Sequence, residues 1–112
     1  MSDVNFVPKN LANGTSPGAK TAVYTVPVGK YALTRSIVLV NTSASAVTMN
    51  VYVSIGGGTS RRVLAKDISI PAGPSATTSF PIDLTLSGGD AIQMDSSSAG
   101  DVDFVVNGVE SL

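Results

Sequence analysis

Apolar and polar positions alternate with a period of two along most of this chain. Val47, Met49, Val51, Val53 and Ile55 alternate with Thr48, Asn50, Tyr52 and Ser54, the pattern of a strand with one buried face. Leu33, Arg35, Ile37, Leu39 and Asn41 alternate with Ala32, Thr34, Ser36, Val38 and Val40. Both faces of that strand turn apolar toward its end, which predicts a central strand covered on both sides there. Shorter runs follow the same rule: Ala22 to Val26, Ile68 with Ile70, Phe80 to Leu86, Ile92 with Met94, and Val102 to Val106. No stretch carries a helical stripe with caps.

Turn signals separate the runs. They are Asn13-Gly14, Pro17-Gly18, Val28-Gly29-Lys30, Asn41 to Ala46, Gly56 to Ser60, Pro71-Ala72-Gly73-Pro74, Ser87-Gly88-Gly89-Asp90 and Ser96 to Gly100. Glycine supplies positive φ in such places and proline fixes its own φ. Short strands at this spacing predict an all-β fold, a single antiparallel β-sandwich (jelly-roll or Ig-like) of about seven to eight short strands. Residues 11–112 form the sandwich domain. Residues 1–10 are the least regular and read as an N-terminal arm, where Pro8 confines ladder pairing to an edge.

The 112 residues suffice for one domain. Charged residues make up 13% of them, against about 25% in an average soluble domain. Ser, Thr, Asn and Gly therefore cover much of the surface, and part of it is expected to be buried against other chains. Mean hydropathy is +0.29, yet no apolar run approaches the ~18 residues of a membrane helix, so no membrane partner is expected. A net charge of −1 offers no basic field to a nucleic acid backbone. The adjacent pair Arg61-Arg62 reads as a solvated strand start. Without cysteine there is no disulfide framework and no thiol chemistry. Met1-Ser2-Asp3-Val4-Asn5 lacks the basic and apolar regions of a secretion signal, which predicts synthesis in a host cytoplasm.

Histidine is absent too, so the commonest general base and metal ligand are missing. The serines lie in turn clusters with no base beside them, where they cap and solvate. Asp90, Asp95, Asp101 and Asp103 fall within one hairpin-sized region. Paired acids for glycosidic chemistry need a cleft with a sugar platform, and the chain has no Trp and three Tyr. Carboxylate and loop carbonyl oxygens suit calcium, with Asp95 and Asp101 as its candidates, although their spacing matches no calcium-loop pattern. Turn and outward strand positions account for the same residues without a ligand. Gly56-Gly57-Gly58 is followed by neither a Lys-Ser/Thr pair nor a helix and reads as a hairpin tip. No enzymatic activity and no cofactor are expected.

Several runs are familiar in order and spacing: Leu11-Ala12-Asn13-Gly14, Val23-Tyr24-Thr25-Val26-Pro27-Val28-Gly29-Lys30, and Arg35-Ser36-Ile37-Val38-Leu39-Val40-Asn41-Thr42. Leu86-Ser87-Gly88-Gly89-Asp90-Ala91-Ile92 and Val105-Val106-Asn107-Gly108-Val109-Glu110 follow. From Leu11 onward the chain resembles a group of small tailed-bacteriophage virion structural proteins, which pair a YTVPxGK strand-turn with a SIVLxN strand and a GDxI turn. These are packing and turn motifs. The resemblance implies a non-enzymatic virion protein, foremost a capsid decoration or cement protein that binds the shell in multiple copies and stabilises it. It implies the major capsid protein or other virion proteins as partners, self-association as a trimer, and a place in the virion. The alternative it implies is a tail or fibre accessory protein that contacts a host surface or glycan. Candidate contact residues are Phe6 and Val7 in the arm, the aromatics Tyr31 and Tyr52, and Arg61 and Arg62. Tyr52 lies on the polar side of its strand, where it is either a contact or an amphipathic cover, and contact is preferred.

Overall fold

The alternating runs form ten strands: β1 (Phe6–Thr15), β2 (Thr21–Thr25), β3 (Tyr31–Asn41), β4 (Val47–Ser54), β5 (Ser60–Arg62), β6 (Ile68–Ile70), β7 (Thr77–Pro81), β8 (Thr85–Ser87), β9 (Ala91–Ser96) and β10 (Val102–Ser111). The structure is a computed structural model that describes residues 5–72 and 77–112. Residues 1–4 of the expected arm and Gly73-Pro74 of one expected turn lie outside the described residues.

The strands make two antiparallel sheets. In the first, β1, β10 and β3 lie side by side, and β7 and β8 share the edge beyond β3. In the second, β2, β9 and β4 lie side by side, and β5 and β6 share the edge beyond β4. Each sheet thus has four strand positions, one of them split in two, which is why ten segments fill a plan expected to hold seven to eight strands. The chain changes sheet at most of its connections, and this is the double-sheet jelly roll rather than the Ig-like alternative.

The apolar face of each strand meets the other sheet. Val26, Ile37, Leu39, Met49, Val51, Ile70, Leu86, Ile92, Met94, Val102 and Val106 are fully buried between the layers. One alternation departs from the sequence reading. Ala32 and Thr34 point inward at the start of β3, and Ile37, Leu39 and Asn41 point inward after them. The switch is a bulge at Arg35, where the register with β10 passes from Asn107↔Ser36 to Gly108↔Thr34. One extra residue reverses the faces, so Leu33 and Arg35 leave the side of Ile37 on which strict alternation placed them. Gly108 permits this close approach: a Cβ there would stand 2.2 Å from the Leu33 carbonyl oxygen and 2.9 Å from Leu11 Cδ1.

Two further expectations change. Phe6 to Asn10, read as part of an arm, form the outer half of edge strand β1 and pair with β10 from Ser111 to Asn107. Pro8 sits there at an edge, as its missing N–H requires. Ile55 falls beyond the end of β4 and is exposed, whereas the alternation had put it on the buried face.

Candidate functional site

The jelly roll has two ends of opposite character. At one end lie the β2–β3 turn, the β4–β5 turn, the β8–β9 turn, the start of β1 and the finish of β10. Asp90 clamps the turns together. Its Oδ1 accepts from the Gly56 N–H at 2.8 Å and its Oδ2 from the Ser87 N–H at 2.9 Å. Its carbonyl accepts from the Val26 N–H at 2.9 Å, and the Gly89 N–H donates to the Val26 carbonyl at 3.0 Å. Gly89 has a φ of 93°, which explains the glycine in the motif entering β9.

Glu110 fastens the same end from below. It is buried, and its Oε2 accepts from the Tyr24 hydroxyl at 2.6 Å. Its Oε1 accepts from Lys9 Nζ at 3.0 Å and lies 3.7 Å from Lys30 Nζ. One carboxylate thereby joins β10 and β1 of the first sheet, β2 of the second, and the β2–β3 turn. The Tyr24 hydroxyl bond, followed by the Lys9 bond, holds Glu110 below its ordinary pKa. Burial, followed by the Glu110 carboxylate, pushes the Tyr24 phenol well above its own.

On this fixed base stand exposed apolar side chains. Phe6, Val7, Val28, Tyr31, Ile55 and Leu112 range from 40% exposed at Phe6 to 94% at Val28. Among the described residues, these are all the exposed large hydrophobic side chains, and every one belongs to this end. The opposite end is built of Ser- and Thr-rich loops that bond to themselves. Ser16 donates to the Ser98 carbonyl, Ser96 to the Pro17 carbonyl and Thr42 to the Asp101 carbonyl. Asn41, fully buried, donates to the Ser45 and Ile70 carbonyls and accepts from Ser43.

No protein-family model and no curated protein matches the sequence. Solved structures do match in shape. A chain in the structure of infectious bursal disease virus, Gx strain, superimposes with a TM-score of 0.58 and 15% identity, covering 98% of this chain and 33% of that one. The VP2 subviral particle of the same virus gives 0.54 at 15% identity, covering 97% and 32%. This chain therefore spans about a third of the length of the virus chains it matches. A subunit of Bacillus endospore appendages, described as disulfide-linked pili, gives 0.53 at 18% identity, covering 98% of this chain and 90% of that one. The chain has a viral capsid-like β fold.

Of the residues singled out from sequence, Phe6, Val7 and Tyr31 are brought together at the apolar end. Tyr52, Arg61 and Arg62 lie elsewhere, on β4 and β5 of the second sheet. Tyr52 covers the outer face of its sheet. It is 7% exposed, its hydroxyl donates to Asp95 Oδ2 at 2.7 Å, and its ring lies under Lys20 Nζ at 4.4 Å and the Arg62 guanidinium at 5.0 Å. The bond to Asp95, ahead of burial, raises its pKa. Arg62 also donates to Asn50 Oδ1, and Arg61 stands exposed opposite Val53. The calcium candidates are engaged by neutral donors of their own domain: Asp95 by Tyr52 and Asn50, Asp101 by Ser98. Among the described residues no group of three or more His, Cys, Asp or Glu side chains is placed to hold a metal ion.

Sequence reading missed Val28, Ile55 and Leu112. Val28 had a visible signal, an apolar residue inside a Pro-x-Gly turn where a polar one is usual. Ile55 was hidden because it extends the β4 alternation by one step.

Proposed function

We propose that this chain is a non-enzymatic structural protein of a phage virion, a capsid decoration protein that seats its apolar end on the shell in multiple copies and stabilises it. The carrying observation is the gathering of the exposed large hydrophobic side chains at one end of a rigid sandwich. A rigid base loses little entropy on docking, and each Å² of apolar surface covered contributes roughly 25 cal/mol. The fold held in common with chains of virus particles supports the reading, as does the absence of His and Cys. The major capsid protein or another virion protein is the partner. A tail or fibre accessory role keeps Tyr31 as an exposed aromatic contact, whereas Tyr52 lies covered by Lys20 and Arg62 on the outer face of its sheet. The likeness to the Bacillus appendage subunit over nearly the whole of both chains favours a second reading, a filament subunit.

One experiment separates these. The purified chain is mixed with shells lacking it and with host cells, then imaged by electron microscopy. Saturating, symmetric occupancy of the shell is expected. Binding at a single vertex or to cells, or growth of filaments without shells, would sink the decoration reading. Val28→Asp and Ile55→Asp are each expected to abolish shell binding while leaving the melting temperature unchanged.

A further inference from the structure

The two outer faces of the sandwich are finished differently. On the second sheet, Asn50, Tyr52 and Ser54 point away from the core yet are buried. Lys20 and Arg62 lie over Tyr52, Asp67 bonds Asn50 in both directions, and Ser54 donates to the Gly58 carbonyl. That face is sealed by the chain itself. On the first sheet the apolar outward residues are Leu33, Val38 and Val40 of β3 and Val105 and Val109 of β10, with Ser36, Asp103 and Asn107 among them. Their strand neighbours Ala32, Ile37, Leu39, Phe104 and Val106 are buried in the core, so the pleat sends them to the other side. Register sets Val38 opposite Val105 and Leu33 opposite Val109, with Pro8 beyond. Leu33, Val38, Val40, Val105 and Val109 are half-buried, and Pro8 is exposed. Two shallow hollows flank Arg35, one of about 360 Å³ between Leu33, Asp83 and Leu84, the other of about 330 Å³ between Pro8, Asn107 and Val109. A strand apolar on both sides is one covered on both sides, and a single copy covers only one side of β3.

We propose that this face packs against the same face of a second copy about a two-fold axis. Charge selects that occupant. The central strands of the face carry one cation, Arg35, and one anion, Asp103, both exposed and, among the described residues, neither in an ion pair. Asp103 pairs with Val40 on one side of the Val38–Val105 row, and Arg35 bulges out beside Asn107 on the other. A two-fold axis running across the strands at that row lays Val38 and Val105 on their own copies. It also brings each Arg35 alongside the Asp103 of the other copy, the self-complementarity that such symmetry demands. From strand spacing and rise the face measures roughly 500 Å². Two copies therefore bury on the order of 1,000 Å², the lower end of a specific interface, and the dimer dissociates on dilution. The face borders the apolar end near Pro8 and Leu33, but its axis row of Val38 and Val105 lies further along the strands, and this inference does not rest on shell binding.

The test is sedimentation equilibrium of the purified full chain over a range of concentrations. A reversible dimer is expected. R35D and D103R should each weaken it by at least about tenfold, and the double swap should restore it, while V28D leaves it unchanged. Circular dichroism confirms that each variant is folded. A chain that stays monomeric at every concentration, one that forms a trimer, or single swaps that leave the dimer intact would overturn the proposal.

Discussion

Glu110 ties elements of both sheets together through a single carboxylate, and its titration makes the fold sensitive to acid. In the folded chain its pKa lies below the ordinary 4.5. As pH falls, the unfolded chain takes up the proton first. The stability that Glu110 supplies is therefore complete above pH 4.5 and is lost as pH drops through the lower folded value. Tyr24 acts in the other direction. Its phenol keeps its proton in the folded chain past the ordinary 10.0, so stability falls as pH rises beyond that value. Glu110→Gln should cost about 2 kcal/mol at neutral pH, since it removes the anion beside Lys9 and leaves one acceptor oxygen where the carboxylate uses two. It should also flatten the acid limb of a plot of melting temperature against pH. Gly108→Ala should cost about 3 kcal/mol in urea unfolding, because its methyl meets a strand backbone rather than a movable side chain. Neither role was legible in the sequence. Glu110 closes an alternating run as any exposed acid would, and its partners Tyr24 and Lys9 lie 86 and 101 residues away. Gly108 looks like a turn glycine until β3 is laid beside it.

At the scale of elements, the period of two was enough to find the strands but not to keep count within them. β4 reads directly because it is regular from Val47 to Ser54. β3 does not, because a bulge leaves no mark in a pattern that is apolar on both faces beyond it. The split edges, β5 with β6 and β7 with β8, were hard to resolve because three of these pieces have three residues each. β1 was read as an arm over its first half because Phe6 to Asn10 bury no side chain and alternate weakly. Pairing with β10 holds that half in place, together with the Lys9 bond to Glu110. Deletion of residues 1–10 should therefore leave a folded sandwich that melts earlier, destabilised by roughly 2 kcal/mol through the lost Lys9 bond to Glu110 and the bared edge of β10. A thermal melt followed at a β-sheet wavelength checks this. Complete loss of structure would show that the sandwich depends on the strand's first half.

For the whole molecule, the class of fold was legible. The grouping of the exposed apolar side chains was not, since Phe6, Val28, Tyr31, Ile55 and Leu112 are scattered along the chain and reach one end only through the jelly-roll connections. Two finished regions, the sealed face and the self-bonded polar loops, set off two unfinished ones, the apolar end and the open face. Val28→Asp and Ile55→Asp should shift stability by less than about 0.5 kcal/mol in urea unfolding, as exposed substitutions do. The polar end has a practical consequence. In its β1–β2 loop, Gly18 and Ala19 are exposed, between the Ser96 hydroxyl bond to the Pro17 carbonyl and the Thr21 hydroxyl bond to the Ala19 carbonyl. If the apolar end is seated on a particle, a foreign peptide spliced between Gly18 and Ala19 would be held out toward solvent at every occupied position, making the chain a scaffold for dense, ordered antigen display.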